Sequence, residues 1–503
     1  MGYVETDAGD DARRRLYDRD RLIVKRELSG ESYAPIHEND FKPLTSDPYT
    51  ALSTFGVDVD TASYANMRRF LNRNQAPPPD SVRLEELINY FDYALPEPAG
   101  EHPFSVTVES ATAPWASRHQ LVRIGLQGTR LFTEERPPSN LVFLLDVSGS
   151  MKNPDKLPLL ISSLKMLVRE LDANDRVAIV TYASGTRVAL PSTSGADSST
   201  ILSALDLLTA GGSTHASAGI QQAYQVAAEH FIEGGVNRVL LATDGDFNVG
   251  ITEEGQLESF ITEKAKGGVF LTVLGFGTGN LQDSKAEVLA DRGNGNYAYI
   301  DSLNEAHKVL VKEMGGTLVT IAKDVKLQVE FNPGRVAAYR LLGYENRALA
   351  AQDFRDDTKD AGEIGAGHSV TALYEVVPTG LPPMPGAVTL KYQTPPPAAG
   401  RVLDSPELLT VNLRYKLPAE DTGREFALPL MDGERAFSEA SDDFRFAASV
   451  ASFGMVLRHS QYAGDTSLQR IYEWASAARG PDEDGLRAEF LRLVRTAQGI
   501  PGY

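Results

Sequence analysis

The chain of 503 residues contains no cysteine. Disulfides, thiolate metal sites and a cysteine nucleophile are therefore excluded. No apolar run reaches the ~18–20 residues that a membrane-spanning helix needs, and the opening "MGYVETDAGDDARRR" has no apolar core of a secretory signal. Positive charge is scarce: 49 basic side chains stand against 68 acidic ones, a formal net charge of −19. Such a chain repels phosphate backbones, which argues against nucleic acid as a partner and suits a protein that handles divalent cations. Catalytic signatures are missing as well. There is no P-loop and no H-E-x-x-H. Ser148 stands in D-V-S-G-S, not in the nucleophile elbow G-x-S-x-G, and no histidine occupies an obvious partner position. The expectation is a protein that is not an enzyme.

What is present is a globular composition, 42% hydrophobic and 23% charged. At ~150 residues per domain the length implies three or four domains. Residues 1–48 are charged and proline-interrupted and read as a flexible arm, with a short helix possible over 11–28. Residues 49–100 read as a helical segment. Tyr64, Met67 and Leu71 share one helix face, Leu84, Leu87, Ile88 and Phe91 another, and Asp80 or Ser81 can cap the second helix. Residues 101–137 alternate with period two: Phe104, Val106 and Val108, then Val122, Ile124 and Leu126.

From 138 to 322 the pattern changes. Apolar strands ("LVFLLDV", "RVAIVTYA", "RVLLATDG", "VFLTVLGFG", "YAYID") alternate with helical stretches, the signature of a parallel sheet covered on both faces. Period two returns over 323–418, in Val325, Leu327, Val329 and Phe331, in Val388, Leu390 and Tyr392, and in Leu409, Val411, Leu413 and Tyr415. The expected architecture is multidomain α/β plus β. One β-sandwich is split in sequence by a doubly wound α/β domain and flanked by helical segments, the last over 419–503. The alternative is two unrelated β modules, although two strands alone are barely stable.

The chemistry concentrates in "NLVFLLDVSGSM", residues 140–151, where a greasy strand ends in Asp146, Ser148 and Ser150. Ligands of doubly wound sheets bind at the carboxyl ends of strands, where the winding reverses. "LLATDGDFN" ends a later strand in the same way, with Asp244 at its tip. In the common strand order 3-2-1-4-5-6 the first and fourth strands are neighbours, so the two aspartates face one crevice. Between them in sequence, "AGGSTHAS" turns into a helix with Thr214 near its start. The candidate set is Asp146, Ser148, Ser150, Thr214 and Asp244. All donors are oxygen, the choice of a hard cation such as Mg²⁺. Asp146, Ser148 and Ser150 alone also describe a capped turn; Thr214 and Asp244 give the set its specificity. His215 offers a nitrogen, which Mg²⁺ seldom takes, and Asp246 and Asn248 suit turn chemistry.

"DVSGS", Thr214 and "TDG" resemble the metal-ion-dependent adhesion site of von Willebrand factor A domains over residues 140–322. "LSTFGVDVDTASYANMRRFLN", "GDFNVGITEEG", "GNGNYAYIDS", "EMGGTLVTIAKDV" and "DFRFAASVASFGMVLR" extend the resemblance to bacterial YfbK-like proteins, over roughly residues 50 to 500. The resemblance implies a Rossmann-like domain at 138–322 and a bound Mg²⁺, or Mn²⁺ or Ca²⁺. It also implies a protein partner that presents an Asp or Glu carboxylate. Many relatives look like exported lipoproteins. The expected place is therefore the cell envelope, with the targeting segment missing from this chain, or alternatively the cytoplasm.

The rival to adhesion or assembly is a scaffold whose metal only stabilises the fold. A further alternative, a phosphatase using Asp58 and Asp60, is poorly served by the preceding "TALSTFG", which is no long apolar strand. Asp60 or Thr61 reads better as a helix cap.

Overall fold

The computed structural model of the chain describes residues 31, 33–45, 47–57, 59–130, 136–213, 216–245, 254–278, 283–313, 318–359, 361–381 and 405–503. Four strands precede the α/β region: β1 (Lys42–Pro43), β2 (Leu52–Gly56), β3 (Phe104–Ala113) and β4 (Ala116–Gly128). The α/β region carries β5 (Ser139–Asp146), β6 (Arg176–Tyr182), β7 (Thr186–Ser194), β8 (Val236–Thr243), β9 (Phe270–Phe276) and β10 (Tyr297–Ile300). Seven follow it: β11 (Thr320–Phe331), β12 (Val336–Leu342), β13 (Ala348–Leu349), β14 (Ile364–Gly365), β15 (Ser369–Pro378), β16 (Glu407–Lys416) and β17 (Arg424–Met431).

The six α/β strands form one sheet in the order β10-β9-β8-β5-β6-β7. Numbered along the chain and read from β7, this is the expected order 3-2-1-4-5-6. All pairs are parallel except β6 with β7. Both faces of β5 are covered, which explains its unbroken apolar run. Val142 and Leu144 enter one core with Val239 and Ile220, while Leu141, Phe143 and Leu145 enter another with Leu160 and Leu164. Each such side chain contributes about 1.5–3 kcal/mol by leaving water. The sequence pattern missed β7, "TRVALPSTS". It is a partly exposed edge strand interrupted by Pro191, so it carries neither a continuous apolar run nor clean alternation.

The remaining strands form two antiparallel sheets, ordered β1-β12-β15-β4-β3 and β13-β2-β11-β16-β17, with β14 pairing β11. Strand β4 hydrogen-bonds β15, with Val122 opposite Tyr374, so residues before and after the α/β region meet in one sheet. In the other sheet β11 lies between β2 and β16, with Leu327 facing Phe55 on one side and Leu413 on the other. Apolar faces of the two sheets share a core that includes Phe55, Ile124, Leu327, Tyr374 and Leu413. Phe331 of one sheet stacks on Tyr339 of the other at a centroid distance of 4.1 Å.

Several segment assignments need correction. The arm expected over 1–48 is, at residues 31 and 33–45, laid along the body. There β1 pairs β12, Asn39 Nδ2 donates to the carbonyl of Gly343 at 2.8 Å, and Glu38 pairs with Arg458 at 2.9 Å. Charge made this stretch look solvated, but its charges have partners far along the chain. The segment 49–100 is not purely helical, since β2 is a sheet strand. The segment 419–503 begins with β17. The strand expected around Val388, Leu390 and Tyr392, and the helix over 11–28, fall outside the described residues. Neither Asp80 nor Ser81 caps the second helix: Arg83 occupies that position, Ser81 Oγ donates to the Pro78 carbonyl, and Asp80 accepts from Ile36 N.

The two helical segments make one body. The helices Ala62–Asn72 and Leu84–Asn89 pack with Asp442–Leu457, Leu468–Ala477 and Leu486–Gln498 around a common core. Tyr64 stacks on Tyr90, and Phe91 meets Phe446 and Phe490 edge-on. This body grips the β10 edge of the parallel sheet. Ala62 and Ala65 enter the same core as Val142 and Leu144. Among the described residues no helix is long and apolar enough to cross a membrane.

Candidate metal centre

Strands β5 and β8 run side by side, with Leu145 opposite Ala242. Asp146 and Asp244 therefore leave the sheet at the same end, one residue beyond that pair in β5 and two beyond it in β8. Both are buried. Asp146 Oδ1 accepts the backbone N–H of Ser148 at 2.8 Å, which turns the chain sharply after the strand. The turn brings the Ser148 and Ser150 hydroxyls to 3.0 Å from each other. Asp146 Oδ2 is buried and makes no hydrogen bond of full geometry among the described residues, with the buried Tyr182 hydroxyl as its neighbouring donor. A buried carboxylate oxygen so incompletely satisfied is costly and calls for a ligand or a function. The Asp146 carboxyl is pushed up to about 6, chiefly by burial; the hydrogen bonds of Ser148 oppose this, the charge of Asp244 adds to it, and the Tyr182 hydroxyl opposes it more weakly.

The glycine-rich loop is latched onto this turn. Gly211 N donates to the Val147 carbonyl at 2.8 Å, and Gly149 N donates to the Gly212 carbonyl at 3.0 Å. Ser213 N donates to Ser184 Oγ at 2.9 Å. Gly212 has φ +89°, and a Cβ there would stand 2.4 Å from Ser184 Oγ, so the latch requires glycine. The chain that leads to Thr214 thus runs directly beside Asp146, Ser148 and Ser150. Thr214 itself, with His215, Asp246, Asn248 and Asp58, lies outside the described residues.

Three neighbours of the site escaped the sequence reading. Tyr182, opposite Asp146 in β6, is buried beside the carboxylate; its phenol is driven well above the usual range by burial and then by the Asp146 charge. Its place at the carboxyl end of a neighbouring strand was a usable signal. Ser184 and Lys156 carried none. Lys156 Nζ donates to Asp244 Oδ2 at 2.8 Å. Asp60 is also accounted for: its Oδ1 accepts Tyr297 N at 3.0 Å, tying the helical body to β10.

The donors at the site fit a hard divalent cation: an incompletely satisfied carboxylate oxygen, a second carboxylate that Lys156 also contacts, and two hydroxyls in contact. Among the described residues no group of three or more acidic, imidazole or thiol side chains is arranged to hold a metal ion, so a cation held here would have to draw on hydroxyl oxygens as well.

Comparison with known proteins agrees with the architecture. Residues 140–312 match the von Willebrand factor type A domain, and residues 316–500 match the family described as "Uncharacterized protein YfbK, C-terminal". Residues 27–123 match a family described as "von Willebrand factor". Over 475 residues the chain is 44% identical to "Uncharacterized protein YfbK" of Escherichia coli (strain K12), covering 93% of this chain and 81% of that one. Among solved structures, "von Willebrand factor type A from Catenulispora acidiphila" is 16% identical, over 78% of this chain and 89% of that one, with a TM-score of 0.45. The ArnB paralog VWA2 from Sulfolobus acidocaldarius is 15% identical, over 79% and 98%, with a TM-score of 0.35. The chain belongs to the YfbK family of bacterial von Willebrand A domain proteins.

Proposed function

We propose that this protein is a non-enzymatic, divalent-metal-dependent protein-binding module, for adhesion or assembly. Its contact residue on the partner is an Asp or Glu. The observation that supports the reading is Asp146 Oδ2, buried and without a hydrogen bond of full geometry, beside two hydroxyls at the end of a strand adjoining that of Asp244. Asp146, Ser148, Ser150, Thr214 and Asp244 would hold Mg²⁺, Mn²⁺ or Ca²⁺. The bound ion would supply a positive charge between two acidic surfaces that otherwise repel each other. The protein's share is to keep the oxygens converged, which the latch between Val147–Gly149 and Gly211–Gly212 does.

We read the two antiparallel sheets as one sandwich into which the α/β domain is inserted; the β4–β15 pairing supports this. The sandwich and the helical body then act as a rigid mount for the site. A purely structural metal is less favoured, because the protein itself supplies Asp244 with a cationic partner, Lys156. The test is calorimetric titration of the full chain with Mg²⁺ and Mn²⁺, for wild type and Asp146→Ala. It is followed by capture of envelope proteins in Mg²⁺ and in EDTA. Capture that is the same in EDTA, with the protein still folded, removes the adhesion reading.

A further inference from the structure

Lys156 is buried, and its ammonium sits 2.8 Å from a carboxylate oxygen of Asp244 whose side chain is wholly inaccessible. The placement is built in three ways. Lys156 immediately precedes the Leu157–Arg169 helix, and its carbonyl accepts the Leu160 N–H at 2.8 Å, which fixes its backbone. Its stem crosses Gly277 so closely that a Cβ there would lie 2.3–2.8 Å from Lys156 Cγ, Cε and Cδ. The Gly277 carbonyl in turn accepts the Tyr299 hydroxyl at 2.6 Å, which holds that loop against β10. A buried ammonium on a buried carboxylate is a pair that the fold must keep together, since either partner left alone is a desolvated charge.

We propose that Lys156 is the resident cation of the metal site: it holds Asp244 when no divalent ion is bound and competes with the ion for that carboxylate. This rests on the metal reading above. The consequence for function is electrostatic. Two carboxylates balance a divalent ion, and the retained lysine then leaves the loaded site with one positive charge over. That excess favours an anionic group on the partner over a neutral one. It also lowers the negative charge of the unloaded site, so the unloaded protein stays folded and the ion acts on binding more than on folding.

Full-length wild type, Lys156→Met and Lys156→Gln are titrated with Mg²⁺ and Mn²⁺ by calorimetry, and melted with and without metal. Methionine keeps the stem over Gly277 and removes the charge; glutamine keeps a donor for Asp244 without charge. The expected result is that both variants melt lower than wild type in EDTA and bind Mg²⁺ about tenfold or more tightly, roughly the effect of removing 1.4 kcal/mol of competition. Their metal-induced rise in Tm should also be larger, and adding Asp146→Ala should abolish the gain. Should wild type bind metal while both variants bind it equally or more weakly, the competition is refuted and the metal reading stands. Should none of the three respond to metal while all remain folded, the metal reading falls and the inference with it.

Discussion

The Arg68 guanidinium meets the Glu305 carboxylate at 2.6 Å although 237 residues separate them in the chain. The same guanidinium donates to both oxygens of Asp301 and to the Tyr90 hydroxyl, and Glu489 stands 3.4 Å away. One buried cation therefore joins the Ala62–Asn72 helix, the α/β domain and the last helix. Arg68→Met leaves three carboxylates facing one another with their cation gone. It should cost about 3–5 kcal/mol. Urea unfolding measures this, and a loss below about 1 kcal/mol would show that the network is not what couples the bodies. Adding Glu305→Gln to Arg68→Met should restore part of the loss, because it removes one of the stranded charges.

Metal that binds only the folded state stabilises it by about 2.7 kcal/mol at a free concentration 100 times its dissociation constant. Mg²⁺ or Mn²⁺ should therefore raise the melting temperature. Asp146→Ala should abolish that rise. In EDTA the same variant should melt at or above wild type, since burial and the Asp244 charge both act against an ionised Asp146. A metal response that survives in Asp146→Ala would place the ion elsewhere.

Gly212→Ala should weaken metal binding without touching a candidate ligand. Its φ of +89° and the nearby Ser184 Oγ both oppose a Cβ, at a cost of about 1–3 kcal/mol. The strain falls on the carbonyl that receives the Gly149 N–H. Gly211→Ala is the control, with nothing within 4 Å of its added Cβ. Calorimetry should separate the two; equal metal affinities would mean that the latch does not shape the site.

His368 should make stability depend on pH. Its Nδ1 has no partner in the described structure, and its imidazole is held down to about 4, first by desolvation and then by Lys308 and Arg238. The unfolded chain takes up this proton near 6.5, the folded chain only near 4. The stability tied to the neutral ring is complete above 6.5 and is lost as pH falls from 6.5 towards 4. The residue as a whole is half-buried, so the loss is about 1–3 kcal/mol rather than the full linkage value. His368→Gln should flatten this part of a urea-stability profile, and an unchanged slope would exclude the assignment.

Local pattern decided a large share of this fold. Leu141 to Leu145 are apolar on both faces because both faces of β5 are covered, and such a run needs no knowledge of its neighbours to be read. Val325, Leu327, Val329 and Phe331 alternate because one face of β11 meets a core. That Asp146 and Asp244 end neighbouring strands was equally legible, since the doubly wound order puts those strands side by side. Tertiary structure decided what periodicity cannot carry. Strand β2 joined a sheet from inside a segment that reads as helical, because its partner β11 lies some 270 residues onward. Helices from the two ends of the chain shared a core because each had an apolar face and neither had enough surface to bury it alone. Lys156 meets Asp244 because β5, β8 and β9 lie side by side and Gly277 leaves room for its stem. Charge complementarity between distant residues leaves no local trace, so these pairings exist in the folded protein and not in any stretch of its sequence.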